Sequence, residues 1–286
     1  MSIQRKTGAI YVALSGLFFG LIGYFGMSIV HTHISVNTML FWRFLIASLF
    51  MCAAILPKCK QLYVQLGELT KTFFYGALFY GPSSALYFMA AEIMGSGLAM
   101  VLFYTFPAMV LFMDFFFKKK TIGRFYSVAV GIILIGMLCL TFGDTSQFNL
   151  VGTGISLLSA LLFAIYMVLS ETSPHPAQVD TLMVCLGSTV SALVMACLEE
   201  RFLIPNATEV WVNIIGIGIF CTSIPILLLL KGLKNISALQ ASILSILEPV
   251  FVIIFGVILL GEAITTVEYI GVVVLLGGAL LALLSA

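Results

Sequence analysis

Ten runs of about twenty apolar residues follow one another along the chain, at 8–30, 36–56, 71–91, 95–117, 123–142, 151–170, 179–199, 210–230, 238–260 and 266–285. A helix rises about 1.5 Å per residue, so roughly twenty apolar residues cross the hydrocarbon core of a bilayer. The runs are continuous in polarity rather than alternating, which argues for helices and against the strands of a membrane barrel. Only 9% of the residues are charged, against about 25% in a soluble domain. The expected solvent is therefore lipid. No segment is long and polar enough to form a soluble domain.

Four of the eight prolines fall inside these runs, in two matched pairs. Pro82 and Pro225 are 143 residues apart, and Pro107 and Pro249 are 142 apart, half the length of the 286-residue chain. A proline inside a helix removes a hydrogen bond at a cost of roughly 3 kcal/mol. Accepting that cost at equivalent points of two halves points to a duplicated bundle with kinked helices. Further matches run in the same order: Gly8 with Gly152, Ser15 with Ser159, Phe19 with Phe163, and Gly131 with Gly271. The expected architecture is an all-α integral membrane protein of ten transmembrane helices, built as two five-helix repeats, 1–145 and 146–286. Five is odd, so the second repeat enters from the opposite side and the repeats are inverted around a central cavity.

Charge fixes the direction. With the N-terminus in the cytoplasm, Arg5, Lys6, Lys58, Lys60, Lys71, Lys118, Lys119, Lys120, Arg124, Lys231 and Lys234 all fall inside. Only Arg201 falls outside, while Arg43 lies within a span. That is the positive-inside pattern, with both termini cytoplasmic. The first run is too long for a signal-peptide core and reads as a retained signal anchor. Trp42 and Trp211 sit near outer helix ends, as an aromatic belt would place them.

Several function classes are disfavoured. The net charge of +1 gives no basis for nucleic-acid binding. The six cysteines include no CxxC pair and mostly lie in apolar runs, so neither a zinc site nor a disulfide framework is expected. His31, His33 and His175 fall in loops, which leaves no Ser–His pair or HExxH motif at membrane depth for an intramembrane enzyme. No Walker motif provides for ATP hydrolysis. No metal and no cofactor is expected.

Residues 237–278, SALQASILSILEPVFVIIFGVILLGEAITTVEYIGVVVLLGG, resemble the EamA family of the drug/metabolite transporter superfamily. The resemblance rests on Ser237-Ala238, Glu248-Pro249, Gly261-Glu262, Gly271 and Gly277, with an echo around Pro107 and at Arg43 in the first half. The first half departs at Phe106, where the second has Glu248, and at Lys118–Lys120, where it has Leu260-Gly261-Glu262. The resemblance implies ten helices around a cavity lined by the first, third, fourth, sixth, eighth and ninth spans. It also implies secondary transport of small metabolites by alternating access, in a bacterial inner membrane. A lipid-linked-substrate flippase or a non-transporting scaffold is the alternative.

Glu248 is the sharpest candidate, because an ionisable group near the midplane is costly and marks a functional site by default. It equally serves as a packing anchor at the kink, where Pro249 leaves the Ser245 carbonyl without its helical donor. Arg43 is either an anion clamp or a structural group paired with a carbonyl or with Glu248. Tyr80, Ser83, Ser84 and Tyr87 follow i, i+3, i+4, i+7 spacing, a polar face that lines the cavity or bonds a neighbouring helix. Tyr104, Tyr166, Gln240 and Ser245 are weaker cavity candidates, as are Thr105, Thr222 and Ser223. The mix of Tyr, Ser and Thr with at most two charges favours an amino acid or related amphipathic solute. The expected partners are this small-molecule metabolite and membrane lipid. The glycines of the tenth span leave a homodimer open.

Overall fold

The computed structural model describes residues 3–22, 24–25, 34–57, 65–119, 124–140, 149–199, 202–261 and 265–284. His31, His33, Cys59, Lys58, Lys60, Lys120, Arg201 and Glu262 lie outside them. The described residues are helical apart from caps and short connections. The helices are α1 (Ile3–Gly20), α2 (Val36–Ile55), α3 (Leu66–Tyr75), α4 (Gly81–Met94), α5 (Ser96–Phe103), α6 (Phe106–Lys118) and α7 (Arg124–Leu140). They continue with α8 (Leu150–Ser170), α9 (Ala177–Leu198), α10 (Thr208–Gly218), α11 (Ile224–Leu233), α12 (Ala238–Leu244), α13 (Leu247–Leu260) and α14 (Thr266–Leu284).

Local sequence sets the ends. Ser35 caps α2 by accepting from the Thr38 N–H, and Asn149 caps α8 by accepting from Val151 and Gly152. Ser237 and Gln240 form a reciprocal capping box at α12. Gly261, at φ +70°, closes α13, a left-handed conformation that costs glycine nothing sterically. Lys119, 142 residues earlier, takes the same conformation at φ +50° to close α6.

The prolines act in two different ways. Pro82 and Pro225 each stand at the start of a helix that follows one π-helical turn, Gly76–Tyr80 and Ile219–Ser223. These turns carry α3 into α4 and α10 into α11 without a break. Pro107 and Pro249 instead follow true interruptions, where Tyr104–Thr105 and Ser245–Ile246 leave the α-helical pattern. The Ser245 carbonyl corrects the sequence-based expectation: it accepts from the Glu248 N–H at 3.0 Å, so tightening of the turn replaces the bond that Pro249 cannot make.

Among the described residues, six stretches are long and apolar enough to cross a membrane: Val36–Ile55, Ser96–Phe117, Leu150–Ser170, Ala177–Leu198, Thr208–Leu233 and Ala238–Leu259. Ser127–Leu140 and Thr266–Leu281 are shorter apolar helices. Charge and polarity separate the other two regions from this group. α1 carries Arg5 and Lys6 in its first turn, and 66–94 carries Glu68, Lys71, Ser83, Ser84 and Glu92. Large apolar side chains cover the outside, among them Phe74, Phe112, Phe117, Ile135, Val212, Ile258 and Val273. A surface of this kind is compatible with lipid and not with water.

Packing pairs the two halves. α4 lies on α8 as α11 lies on α1, α6 on α8 as α13 on α1, and α3 on α9 as α10 on α2. α2 with α9, and α7 with α14, make the remaining large contacts. Small residues permit the approach. A Cβ on Gly16 would stand 3.2 Å from the Glu248 nitrogen, and one on Gly20 would stand 2.7 Å from Phe251 Cβ. Gly136 and Gly271 each face the other's carbonyl. Gly131 and Gly277, by contrast, face open space.

Candidate functional site

The middle of the bundle holds one aromatic cluster. Phe163 on α8 is its hub, with ring centroids 4.8 Å from Phe106, 5.4 Å from Phe103, 5.9 Å from Tyr166 and 6.1 Å from Tyr80. Tyr80 also meets Tyr166 at 5.0 Å and Phe44 at 5.9 Å. Tyr87 and Tyr104 join through Phe103, at 5.3 and 5.5 Å. Four of the tyrosines read from the sequence thus come together, from α4, the π-turn before it, the end of α5 and α8. The phenylalanines are not legible as a cluster in the sequence, because 24 of them are spread along the chain. The match of Phe163 with Phe19 and the place of Phe106 opposite Glu248 mark two of them.

Glu248 lies in the first turn of α13, beside the Gly16 backbone of α1. It is the eleventh residue of the stretch Ala238–Leu259, so about 15 Å of helix lies on each side of it. The buried Tyr104 hydroxyl stands beside its carboxyl group. Arg43, Tyr80 and Tyr87 are within its electrostatic reach.

Arg43, on α2, is 3% exposed and bonds the second π-turn. Its Nε donates to Thr222 Oγ1 at 2.6 Å and its Nη2 to the Cys221 carbonyl at 3.1 Å. Pro225 has no N–H to offer that carbonyl four residues earlier. The guanidinium therefore pairs with a carbonyl, one of the structural roles open to it, while staying near enough to Glu248 to act on its charge. In the other half, Ser188 Oγ donates to the Gly76 carbonyl of the first π-turn at 3.2 Å.

The remaining predicted residues are engaged elsewhere. Ser83 Oγ donates to the Ser159 carbonyl at 2.9 Å, and Ser159 Oγ donates back to the Ser83 carbonyl at 2.7 Å, which rivets α4 to α8. Ser84 bonds its own helix at the Tyr80 carbonyl and Ser245 at the Ala241 carbonyl. Gln240 serves the α12 cap and faces an end pocket of about 420 Å³, which Arg5, Glu171, Lys234, Asn235 and Ser237 also line. The polar face read from the spacing divides: Tyr80 and Tyr87 join the ring cluster, and Ser83 joins the seam between α4 and α8.

Reasoning from sequence missed Asp180 and Asn37. Asp180, 1% exposed, accepts from Ser173 Oγ at 2.8 Å, Thr72 Oγ1 at 3.4 Å and Lys234 Nζ at 3.1 Å. Asn37, 3% exposed, donates to Glu199 Oε1. The 143-residue offset of the first proline pair superposes these two residues, a signal present in the sequence.

An apolar-coated helical bundle with a carboxyl group at mid-depth is the build of an integral membrane protein. The chain belongs to the EamA-like transporter family, whose profile matches residues 6–142 and again 150–284. It is 25% identical over 282 residues, 97% of this chain and 96% of the relative, to an uncharacterized transporter of Archaeoglobus fulgidus. A solved crystal structure aligns with 99% of this chain and 98% of its own at a TM-score of 0.84 and 18% identity, a likeness of fold.

Proposed function

We propose that this protein is a secondary active transporter that moves a small amphipathic metabolite, an amino acid or a related solute, by alternating access. It has ten spans in two inverted repeats, 1–145 and 146–286. The stretches 3–20 and 66–94 count as spans despite their charges, because those charges lie toward their ends. Both termini face the cytoplasm, and the membrane is a bacterial inner membrane. The recurrence of a π-turn at 143 residues and of a helix break at about 142 supports the repeat. The lysines and arginines support the direction.

The observation that carries this reading is Glu248. Its carboxyl group stands at mid-depth with Tyr104, Tyr80 and Tyr87 around it and with Arg43 held close by. Charge at that depth is costly, so an ionisable group there points to ion or solute passage. Aromatic faces suit a cationic or amphipathic solute, and the carboxyl group gives an ammonium its counter-charge. The solute then sits between the aromatic cluster and the α12–α13 break.

The protein reconstituted in liposomes tests this. A thermal-shift screen of amino acids, nucleosides and vitamins identifies the solute, and uptake is then followed under an imposed pH gradient. Glu248→Gln is expected to abolish gradient-driven uptake while sparing the fold. Full gradient-driven uptake by that variant would remove Glu248 from the coupling step.

A further inference from the structure

Two buried polar residues occupy the same point of the two halves, at opposite ends of the bundle. Asn37 stands in the first turn of α2 and Asp180 in the first turn of α9, 143 residues later. Each is followed by a fully buried threonine, Thr38 and Thr181. α9 measures the distance between their contacts. Asp180 is near its start, whereas Asn37 bonds Glu199, which caps its end. A helix of this length separates the two contacts by about 30 Å.

Both contacts join the halves. At one end, the Asp180 carboxylate gathers Thr72 from α3, Ser173 from the α8–α9 connection, and Lys234 from the end of α11. Lys234 Nζ also donates to the Ser173 carbonyl at 2.6 Å. One carboxylate thus holds three separate segments around the start of α9. At the other end, Asn37 from the first half holds Glu199 from the second. Nearby, Trp42 Nε1 donates to the Leu203 carbonyl at 3.1 Å, and its ring meets that of Trp211 at 4.9 Å.

The Asp180 contact has the physical character of something that opens. Lys234 is 27% exposed while Asp180 is 1% exposed. The lysine forms part of the wall of the 420 Å³ end pocket. When the pair separates, Lys234 already faces that pocket. The Asp180 carboxylate keeps the Ser173 hydroxyl as a donor at 2.8 Å, so its charge is not left without a partner when the lysine moves away.

From this we infer that Asp180 and Asn37 are the closing residues of the two ends: each contact is made while its end is shut and broken while that end is open. The inference rests on the alternating-access reading above. Asp180 closes the end that bears Lys234, through charge. Asn37 closes the end that bears the tryptophans, through an amide. Because the two lie on equivalent positions of the halves, weakening either biases the molecule toward opening at that end.

Hydrogen–deuterium exchange on the full chain in lipid nanodiscs tests this. Asp180→Asn is expected to speed exchange severalfold in 171–176 and 231–237 while leaving 202–207 unchanged or slower. Asn37→Ala is expected to do the reverse. Lys234→Gln removes the cation alone and should reproduce the Asp180→Asn pattern, which keeps the idea testable should that variant fold poorly. Faster exchange at both ends in either variant, or a lower melting temperature with no change in exchange, would overturn the assignment. Uptake by the unaltered protein is measured separately. No uptake of any solute under any gradient refutes the transport reading. Uptake together with unbiased variants refutes the closing residues alone.

Discussion

The Arg43 guanidinium donates to the Cys221 carbonyl, the group that Pro225, four residues on, has no N–H to reach. An arginine from one half thus compensates a proline in the other. Arg43→Met is expected to destabilise the protein by about 3 kcal/mol, the scale of losing charge-assisted hydrogen bonds at a buried carbonyl. Pro225→Ala restores a backbone donor near Cys221. The double variant should therefore lose less than the sum of the two singles, with a coupling of about 1 kcal/mol. Unfolding by dodecyl sulfate in mixed micelles measures all three, and strict additivity would disprove the compensation.

The crossing of α3 and its π-turn with α9 leaves no room for side chains. A Cβ on Gly76 would strike the Val184 carbonyl, and one on Gly187 would strike the Phe73 carbonyl. Gly76→Ala and Gly187→Ala should each cost about 1–3 kcal/mol, as overpacking does. Gly131→Ala and Gly277→Ala, which meet nothing within 4 Å, should be neutral or stabilising. The same micelle unfolding assay separates the two sets.

Ser83 and Ser159 each donate to the other's carbonyl. Ser83→Ala and Ser159→Ala should each cost about 0.6–2 kcal/mol, the range for interhelical hydrogen bonds in membranes. The pair should be non-additive, and solute affinity should stay within twofold of the unaltered protein by the same order of reasoning. Tyr80→Ala, which opens the ring cluster, should change affinity strongly. Titration of the solute by thermal shift distinguishes these outcomes. A solute affinity that collapses in Ser83→Ala would place that hydroxyl in the binding site.

Lys119 holds a backbone conformation that an L-residue enters at a cost of about 1–2 kcal/mol. Lys119→Gly should therefore stabilise the end of α6 by up to about 1 kcal/mol, since Gly261 at the equivalent point already has this form. A loss of stability would show that the lysine side chain contributes more than the strain it carries.

The sequence resolves the skeleton better than the site, for physical reasons. Apolar run length depends on bilayer thickness alone, so the stretches around α2, α8 and α9 can be read without tertiary knowledge. The prolines mark where helices depart from regularity, but not how. Pro82 and Pro107 look alike in the sequence. One follows a π-turn, at which Gly76 lets α9 come close, whereas the other follows a break. Those causes are tertiary. The same holds for Arg43, whose hydrogen bonds depend on what the turn between α10 and α11 places beside it. Asp180 was missed because a carboxylate near a helix start looks like an ordinary interfacial charge. Its burial depends on Thr72 and Lys234, more than fifty residues away on either side.

The paired π-turns also carry a record of descent. A π-turn holds one residue more than the α-helical turn it replaces. Both halves carry that extra residue at the same place, just before a proline, and different side chains reach the two turns: Arg43 donates to the Cys221 carbonyl, whereas Ser188 donates to the Gly76 carbonyl, which the Gly81 N–H also reaches. If the halves arose by duplication, the extra residue was already in the ancestral chain, and the arginine and the serine are later and separate additions. That ancestor would have kinked its third helix before it had a second copy of itself to pack against.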